Sequence, residues 1–445
     1  MSETHIDRSY YSPLSNEIAS WQRDYTPGPL TQNEFYQFFE DGFVIKHNLL
    51  QRDQLEPVIQ SIERVVDELA QELYQAGKIQ DLHENDGFYQ RLTAIDSQFP
   101  GAAVILHKRG VLPPEIASLW SSKTLLSVAK QLLGPDVAGH PVWNLRTKVP
   151  NQEQVTVPWH QDTAYLNKEC WNVLQVTAWI PLLDANKENG CMQLLPGGHR
   201  SGRTCKHNCC AGNTWYVEVP VEEMAATLKT PVTEKTVFTC EVPFGSVLFL
   251  NNLIPHKSME NYSGNIRWSL DLRWQKPNEP NGFYGLKDNI LMAKGDDENF
   301  KPDWEEWSKI NRTKLQEAVV QESIKNEIPE LKERQNDDPF DTTISGPWMH
   351  NWPIVHHNKH TANLTKNTTN LGTGFNVNQH YFSFTINACF PICIRYGCLS
   401  QQIIFGASFS MGYQEDLDNL LFTSPVAFGL SINEDFQQQE KDKQC

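Results

Sequence analysis

Nowhere in its 445 residues does the chain approach the ~20 consecutive apolar residues of a membrane-spanning helix. It lacks any surplus of positive charge: the formal net charge is −16, which argues against nucleic acid or an anionic membrane as the main partner, because both need basic surfaces. That balance says nothing about a small substrate, which responds to its local pocket. The ten cysteines follow no regular spacing, and residues 1–25 carry neither an apolar core of signal-peptide length nor an Arg-rich amphipathic pattern. The expectation is therefore reduced thiols in a cytoplasmic protein. The final residues, Asp442-Lys443-Gln444-Cys445, match no peroxisomal or prenylation signal, and no internal repeat is visible.

What is present allows a large core: 39% of residues are hydrophobic and 13 are Trp. Residues 1–30 read as a flexible arm ending at Pro27-Gly28-Pro29. Residues 31–360 read as one domain, with a helical buttress over about 31–135, a strand-rich core over about 140–280 and a helical extension over about 300–360. Thr31 is a plausible N-cap with Glu34 three residues on, Leu55 to Leu69 recur at helical spacing, and Gly134-Pro135 stops a helical stretch starting near Pro114. Strands are expected over 173–183, 246–250 and 266–275, with a hairpin turn at Asn189-Gly190. Between Thr361 and Leu430 only Lys366, Arg395, Glu415, Asp416 and Asp418 are charged and no periodicity is evident, so 361–445 reads as a poorly structured appendage.

The chemistry concentrates in His160-Gln161-Asp162 and, about a hundred residues later, His256. On a strand, a His, one spacer and an Asp point to one face. A distant second His completes a 2-His-1-carboxylate set, the arrangement that suits Fe(II) and leaves positions open for oxygen and a chelating co-substrate. Downstream, residues 267–273 alternate polar and apolar, so that Arg267, Ser269, Asp271 and Arg273 share one face. A polar interior lined by Arg is costly unless an anion fills it, and a dicarboxylate would, held bidentately by Arg267 with Ser258 beside it. An internal Arg267–Asp271 salt bridge explains the same pattern equally well at this stage.

Beyond His160-Gln161-Asp162, the runs Trp179-Ile180-Pro181-Leu182-Leu183-Asp184-Ala185, Glu188-Asn189-Gly190-Cys191-Met192 and Pro196-Gly197-Gly198-His199, with His256 and Arg267, resemble the phytanoyl-CoA dioxygenases over roughly residues 30–280. The resemblance implies a mainly β fold with flanking helices (α+β) around a double-stranded β-helix, or jelly roll. It also implies Fe(II), 2-oxoglutarate as co-substrate, ascorbate as a stimulant, and O2 and a small molecule as the remaining reactants. Carried over by position, His160, Asp162 and His256 hold the iron and, with Arg267, form the catalytic set. Arg267 and Ser258 hold the far carboxylate, and Gln161, Trp179 and Asn144 line the 2-oxoglutarate pocket. A family Lys in the preceding helical region has no clean match: the corresponding stretch reads Val104-Ile105-Leu106-His107, and Lys108 is only nearby. Asp162 favours hydroxylation over halogenation, because related halogenases carry a small residue there.

Other clusters read more simply. Cys205, His207, Cys209 and Cys210 are spaced too tightly for standard zinc pairs and suggest a flexible loop, and Cys389, Cys393 and Cys398 fit no standard ligand pair. Arg200, Arg203 and Lys206 read as solvated charges. Trp348, Met349, Trp352 and the histidines at 350, 356, 357 and 360 read as packing. The competing functions are an acyl-CoA 2-hydroxylase of the same family and a jelly-roll binding protein without turnover.

Overall fold

The computed structural model describes residues 25–327, 338–361 and 364. Nearly all of the low-charge appendage expected over 361–445 and most of the expected arm over 1–30 lie outside those residues. In chain order the described elements are α1 (Gln32–Asp41), β1 (Phe43–Lys46), α2 (Arg52–Gln75), α3 (Arg91–Gln98), α4 (Ala102–Lys108), α5 (Pro114–Trp120), α6 (Lys123–Leu133), β2 (Val137–Gly139), β3 (Asn144–Lys148), β4 (Val176–Pro181) and β5 (Met192–Leu194). They continue with α7 (Val221–Leu228), β6 (Phe238–Cys240), β7 (Val247–Asn251), β8 (His256–Ser258), β9 (Arg267–Gln275), β10 (Ile290–Ala293), α8 (Glu305–Lys309) and α9 (Arg312–Glu327).

Helix α1 begins as its sequence dictates: the Thr31 hydroxyl accepts from the Glu34 amide while the Glu34 carboxylate reaches back to the Thr31 amide, a complete capping box. Early in the expected helical buttress the helix is interrupted. Gly42 takes a left-handed φ of +84°, and an added Cβ would meet the His199 ring at 2.5 Å. Phe43, Val44 and Ile45 then pair with Leu250, Phe249 and Leu248 of β7. Local helical propensity yields here to a ladder that buries Phe43 and Val44. The stretch from Pro114 is likewise two helices, divided where Ser122 caps α6 through the Leu125 amide.

All strand pairs in the ladders are antiparallel. The larger sheet runs β1-β7-β4-β9-β2-β10 with β3 also paired to β9, and the smaller runs β6-β5-β8. Strand β9 is buried along its whole length. Trp268, Leu270, Leu272 and Trp274 join the main apolar core, which also takes in Leu55, Val58, Ile62 and Leu69 of α2 and Leu125 and Leu132 of α6. The opposite face carries Arg267, Ser269, Asp271 and Arg273, as period-two alternation requires. The fold is thus a mixed assembly of helices and antiparallel sheets, with a hydrophobic layer on one side of β9 and a polar interior on the other.

Several histidines are locked neutral within this frame. Burial pushes His140 and His199 down to about 4 and, with Arg146 nearby, His107 down to about 3. Above pH 6.5 these groups are neutral in both the folded and unfolded chain, and stability is at its full value. Below 6.5 the unfolded chain binds protons that the folded one refuses until about pH 3–4, so stability falls across that window. Each such proton costs about 1.4 kcal/mol per pH unit. The urea midpoint of the metal-free protein should therefore drop between pH 7.5 and 5.5, and His199→Gln should flatten part of the slope. Equal midpoints at the two pH values would contradict the neutral assignment.

Candidate active site

His160 and His256 face each other across a bridge, each backbone amide donating to the other's carbonyl at 3.0 and 2.9 Å. Their rings are 4.1 Å apart between centroids. His160 Nδ1 donates to the Pro158 carbonyl at 2.8 Å and His256 Nδ1 to the Ile254 carbonyl at 2.9 Å. That fixes the tautomer of both rings and leaves each Nε2 lone pair aimed inward. Asp162 Oδ1 lies 3.7 Å from His160 Nε2 and 3.8 Å from His256 Nε2, so the three donor atoms converge within 4.8 Å. Two neutral imidazoles and one carboxylate, all buried, are a fitting donor set for one divalent transition-metal ion.

The carboxylate is set by its other oxygen. Asp162 Oδ2 accepts from Arg273 Nη2 at 3.1 Å, Arg273 Nε at 3.3 Å and Thr177 Oγ1 at 3.1 Å. Burial opposes its charge, but Arg273 and the two histidines hold the carboxyl well below the usual range. His256 is pushed down to about 4 by burial and by His160. One sequence expectation is corrected here. The His-x-Asp run is not a strand segment: His160 makes the bridge, and Asp162 opens a short 3-10 turn ending at Tyr165. Convergence comes from the bridge to His256 together with that turn.

Arg267 lies on the polar face of β9, 3% exposed, with its guanidinium 5.2 Å above the Trp179 ring. Nη1 donates to Ser269 Oγ at 2.6 Å, while Nε has no hydrogen-bond partner. The alternative Arg267–Asp271 ion pair does not form. Asp271 is engaged by Arg146 at 2.8 Å and Arg273 at 3.8 Å, and accepts from Asn144 Nδ2 at 3.4 Å. Burial lowers Arg267 to about 10, which leaves it charged at neutral pH. A cavity of about 590 Å³ is lined by Arg267, Ser258, Trp179 and Lys148 and by all three members of the triad. Its residues come from both sheets.

Lys148 escaped the sequence reading. It stands opposite Arg267 in the β3–β9 register, 1% exposed, and donates to Ser258 Oγ at 2.9 Å and Thr156 Oγ1 at 3.0 Å. Burial, reinforced by Arg267, holds its ammonium well below the ordinary Lys value. The signal was the alternation of Asn144, Arg146 and Lys148, which repeats the pattern of β9 on its neighbour. Ser258 Oγ accepts both from Lys148 and from the Val157 amide at 2.9 Å, so its own hydrogen is left for a ligand.

Two of the expected pocket residues sit elsewhere. Gln161 lines neither cavity: its Nε2 donates to the carbonyls of Leu253 and Arg203, and its Oε1 accepts from the Cys205 amide at 2.7 Å. The Gln161 backbone is extended just before the 3-10 turn, with φ −112° and ψ 139°, and its side chain fastens the following loop instead. Asn144 lines a second cavity of about 800 Å³ rather than the one around Arg267. The two cavities share His107, Arg146, Asp162, Trp215, Tyr216 and Arg273. His107 therefore faces both, while Lys108 lines the second and pairs with Glu317 at 3.1 Å and Asp341 at 3.6 Å.

In the loop at 205–210, expected as a flexible segment, Cys205, His207, Cys209 and Cys210 are buried while Lys206 is exposed. Cys205 and His207 are fully enclosed, and the Gln161 amide donates to His207 Nε2 at 3.1 Å. Cys209 and Cys210 form a vicinal disulfide, which corrects the expectation that all thiols are free. Among the described residues, the triad is the one cluster of His, Cys, Asp and Glu able to hold a metal. The Trp348 and Trp352 region packs as expected: Trp352 stacks on Trp171 and donates to the Ala164 carbonyl at 2.8 Å.

Against this geometry, a sequence profile described as phytanoyl-CoA dioxygenase matches residues 38–269. The chain belongs to the phytanoyl-CoA dioxygenase family. Its relatives include the 1-deoxypentalenic acid 11-beta-hydroxylase of Streptomyces arenae, 27% identical over 180 residues that make up 38% of this chain and 59% of that protein. The ectoine dioxygenase of Bordetella parapertussis is 22% identical over 178 residues, 40% of this chain and 52% of that protein. The chain thus spans between half and three-fifths of the length of these relatives. The solved structure of the non-heme monooxygenase ThoJ in its apo form is 19% identical and overlaps 64% of this chain and 98% of that one, with a TM-score of 0.42. Among the described residues of this family member, no helix is long and apolar enough to cross a membrane.

Proposed function

We propose that the chain is an Fe(II)- and 2-oxoglutarate-dependent dioxygenase that hydroxylates an aliphatic C–H bond of a small molecule, releasing succinate and CO2. The observation that carries this reading is Arg267: a buried, charged guanidinium with an unpaired Nε, in the cavity that the metal triad also lines. A metal site alone has no use for such a group. A dicarboxylate that chelates the metal at one end needs it at the other.

In this reading His160, Asp162 and His256 hold the metal, and Arg267 and Ser258 receive the far carboxylate beside Lys148, with Trp179 as the wall. The iron, with 2-oxoglutarate bound, supplies the oxidising power. Everything else is orientation. Arg273 and Thr177 fix the carboxylate ligand, the Pro158 and Ile254 carbonyls fix the imidazoles, and Asp271 holds Arg146 in the wall shared by both cavities. Tyr165, Trp215 and Tyr216 contribute aromatic surface to the space beside Asp162. The two antiparallel sheets are read as the halves of a jelly roll, and residues 31–360 as the oxygenase domain that contains it. The names of the relatives support a small-molecule substrate for this chain too.

The test is anaerobic addition of Fe(II) and then 2-oxoglutarate to the full chain. A weak visible charge-transfer band should appear only when both are present. Iron bound with no band on adding 2-oxoglutarate would refute the reading.

A further inference from the structure

The second cavity opens beside Asp162, and its wall, mostly apolar in surface, includes the aromatic side chains of Tyr165, Trp215, Tyr216 and Trp348. Into it reaches Arg312, the first residue of α9, beyond the region matched by the family profile. Arg312 is 6% exposed and lies with its guanidinium 5.5 Å from the Trp143 ring centroid. Its Nη2 donates to Asn144 Oδ1 at 2.9 Å, and its buried Nε has no partner.

The other cations lining this cavity are all neutralised. Arg146 is paired with Asp271, Arg273 with Asp162 and Asp271, and Lys108 with Glu317 and Asp341. Among the described residues no carboxylate lies within ion-pair distance of Arg312. Lys148 and Arg267 also lack carboxylates, but they line the smaller cavity and belong to the co-substrate end of the site. Burial, with Arg146 and Arg273 nearby, lowers Arg312 to about 9, so it remains a cation at neutral pH. An isolated buried charge is costly, and a fork with an unused donor in a chamber of mostly apolar surface is complementary to an oxyanion on an apolar body.

We infer that the substrate is a largely apolar small molecule bearing a carboxylate, which Arg312 anchors while the aromatic wall holds the body against the metal triad. This rests on the oxygenase reading for the direction in which the substrate lies, but Arg312 as an anion site can be tested apart from turnover.

The probe is trifluoroacetate, small enough to reach the guanidinium whatever the shape of the true substrate. It is titrated by fluorine NMR into the full chain loaded with Zn(II) and saturated with 2-oxoglutarate, so that Arg267 is occupied. Wild type should bind it saturably at one site and should not bind the neutral trifluoroacetamide. Arg312→Gln should weaken trifluoroacetate by about tenfold or more and Arg312→Lys by less, since a point charge reproduces part of the fork. The affinity for 2-oxoglutarate, measured by calorimetry on the same samples, should stay within about twofold.

Absence of saturable trifluoroacetate binding in wild type, or equal binding in Arg312→Gln, overturns the proposal and leaves Arg312 a positioning residue for Asn144. A collapse of 2-oxoglutarate affinity in Arg312→Gln also overturns it, by assigning the residue to the co-substrate. If Arg312→Gln does not fold, unchanged trifluoroacetate affinity in Arg312→Lys is the overturning result. Loss of the Fe(II)–2-oxoglutarate band in wild type would strike the oxygenase reading instead, and the contrast between wild type and the Arg312 variants would still report on the anion site.

Discussion

Arg267→Ala should leave metal binding intact and weaken 2-oxoglutarate by about 2–5 kcal/mol, the usual cost of truncating one partner of a buried charge-assisted pair. At about 1.4 kcal/mol per tenfold, that is a loss between roughly thirty-fold and several thousand-fold. The metal ligands are spared because Arg267 makes its side-chain hydrogen bond to Ser269 and none to the triad. Arg267→Lys should recover only part of the loss, since an ammonium cannot present the planar fork. Lys148, hydrogen-bonded to Ser258 at the same end of the cavity, offers little compensation, because burial disfavours its ammonium form. The measurement is a titration of 2-oxoglutarate into Fe(II)-loaded wild type and variants. Equal affinities with normal metal content would place the anchor elsewhere. Arg273 is a poor substitute, since it is already committed to Asp162 and Asp271.

Asp162→Ala should lower metal affinity by more than about 100-fold, beyond the 10- to 100-fold typical of losing an outer-shell partner. It removes the one anionic donor from the set and leaves two neutral imidazoles. The same change strips Arg273 of its nearest carboxylate. Breaking a buried pair in this way costs about 3–5 kcal/mol where nothing compensates, and Asp271 at 3.8 Å should keep the cost at the lower end. Asp162→Asn keeps the shape and an acceptor for Thr177, so it should fold better than the alanine variant while still binding metal poorly. Equilibrium dialysis against a competing chelator gives the metal affinity, and urea unfolding of the metal-free proteins gives the stability. Wild-type metal affinity in Asp162→Ala would remove Asp162 from the site.

The parts of the fold that were legible in the sequence are those where one local rule acts alone. Thr31 and Glu34 announce a capping box, and residues 267–275 announce a strand with one polar face, because period-two alternation needs no knowledge of the partner strands. β1 was not legible. Phe43-Val44-Ile45 sits between two helices, and only the ladder with β7 makes it a strand. The vicinal disulfide and the enclosure of His207 depend on how the 205–210 loop packs, which spacing along the chain does not encode.

The same division runs through the site. The sequence put His160, Asp162, His256 and Arg267 forward because metal and dicarboxylate chemistry would demand such side chains, and the fold brings the four to one cavity. Which of their neighbours join them was decided by tertiary structure. Gln161 adjoins two ligands in sequence yet points out of the cavity, where the Leu253 and Arg203 carbonyls and the Cys205 amide hold it. Lys148 and Arg312 are distant from the metal motif in sequence, one brought beside Arg267 by antiparallel register and the other brought to Asn144 by the packing of α9. The sequence specifies the reactive groups because these are properties of single residues. Only the fold decides which charges find a carboxylate and which are left for a ligand, because burial and pairing are properties of the whole assembly.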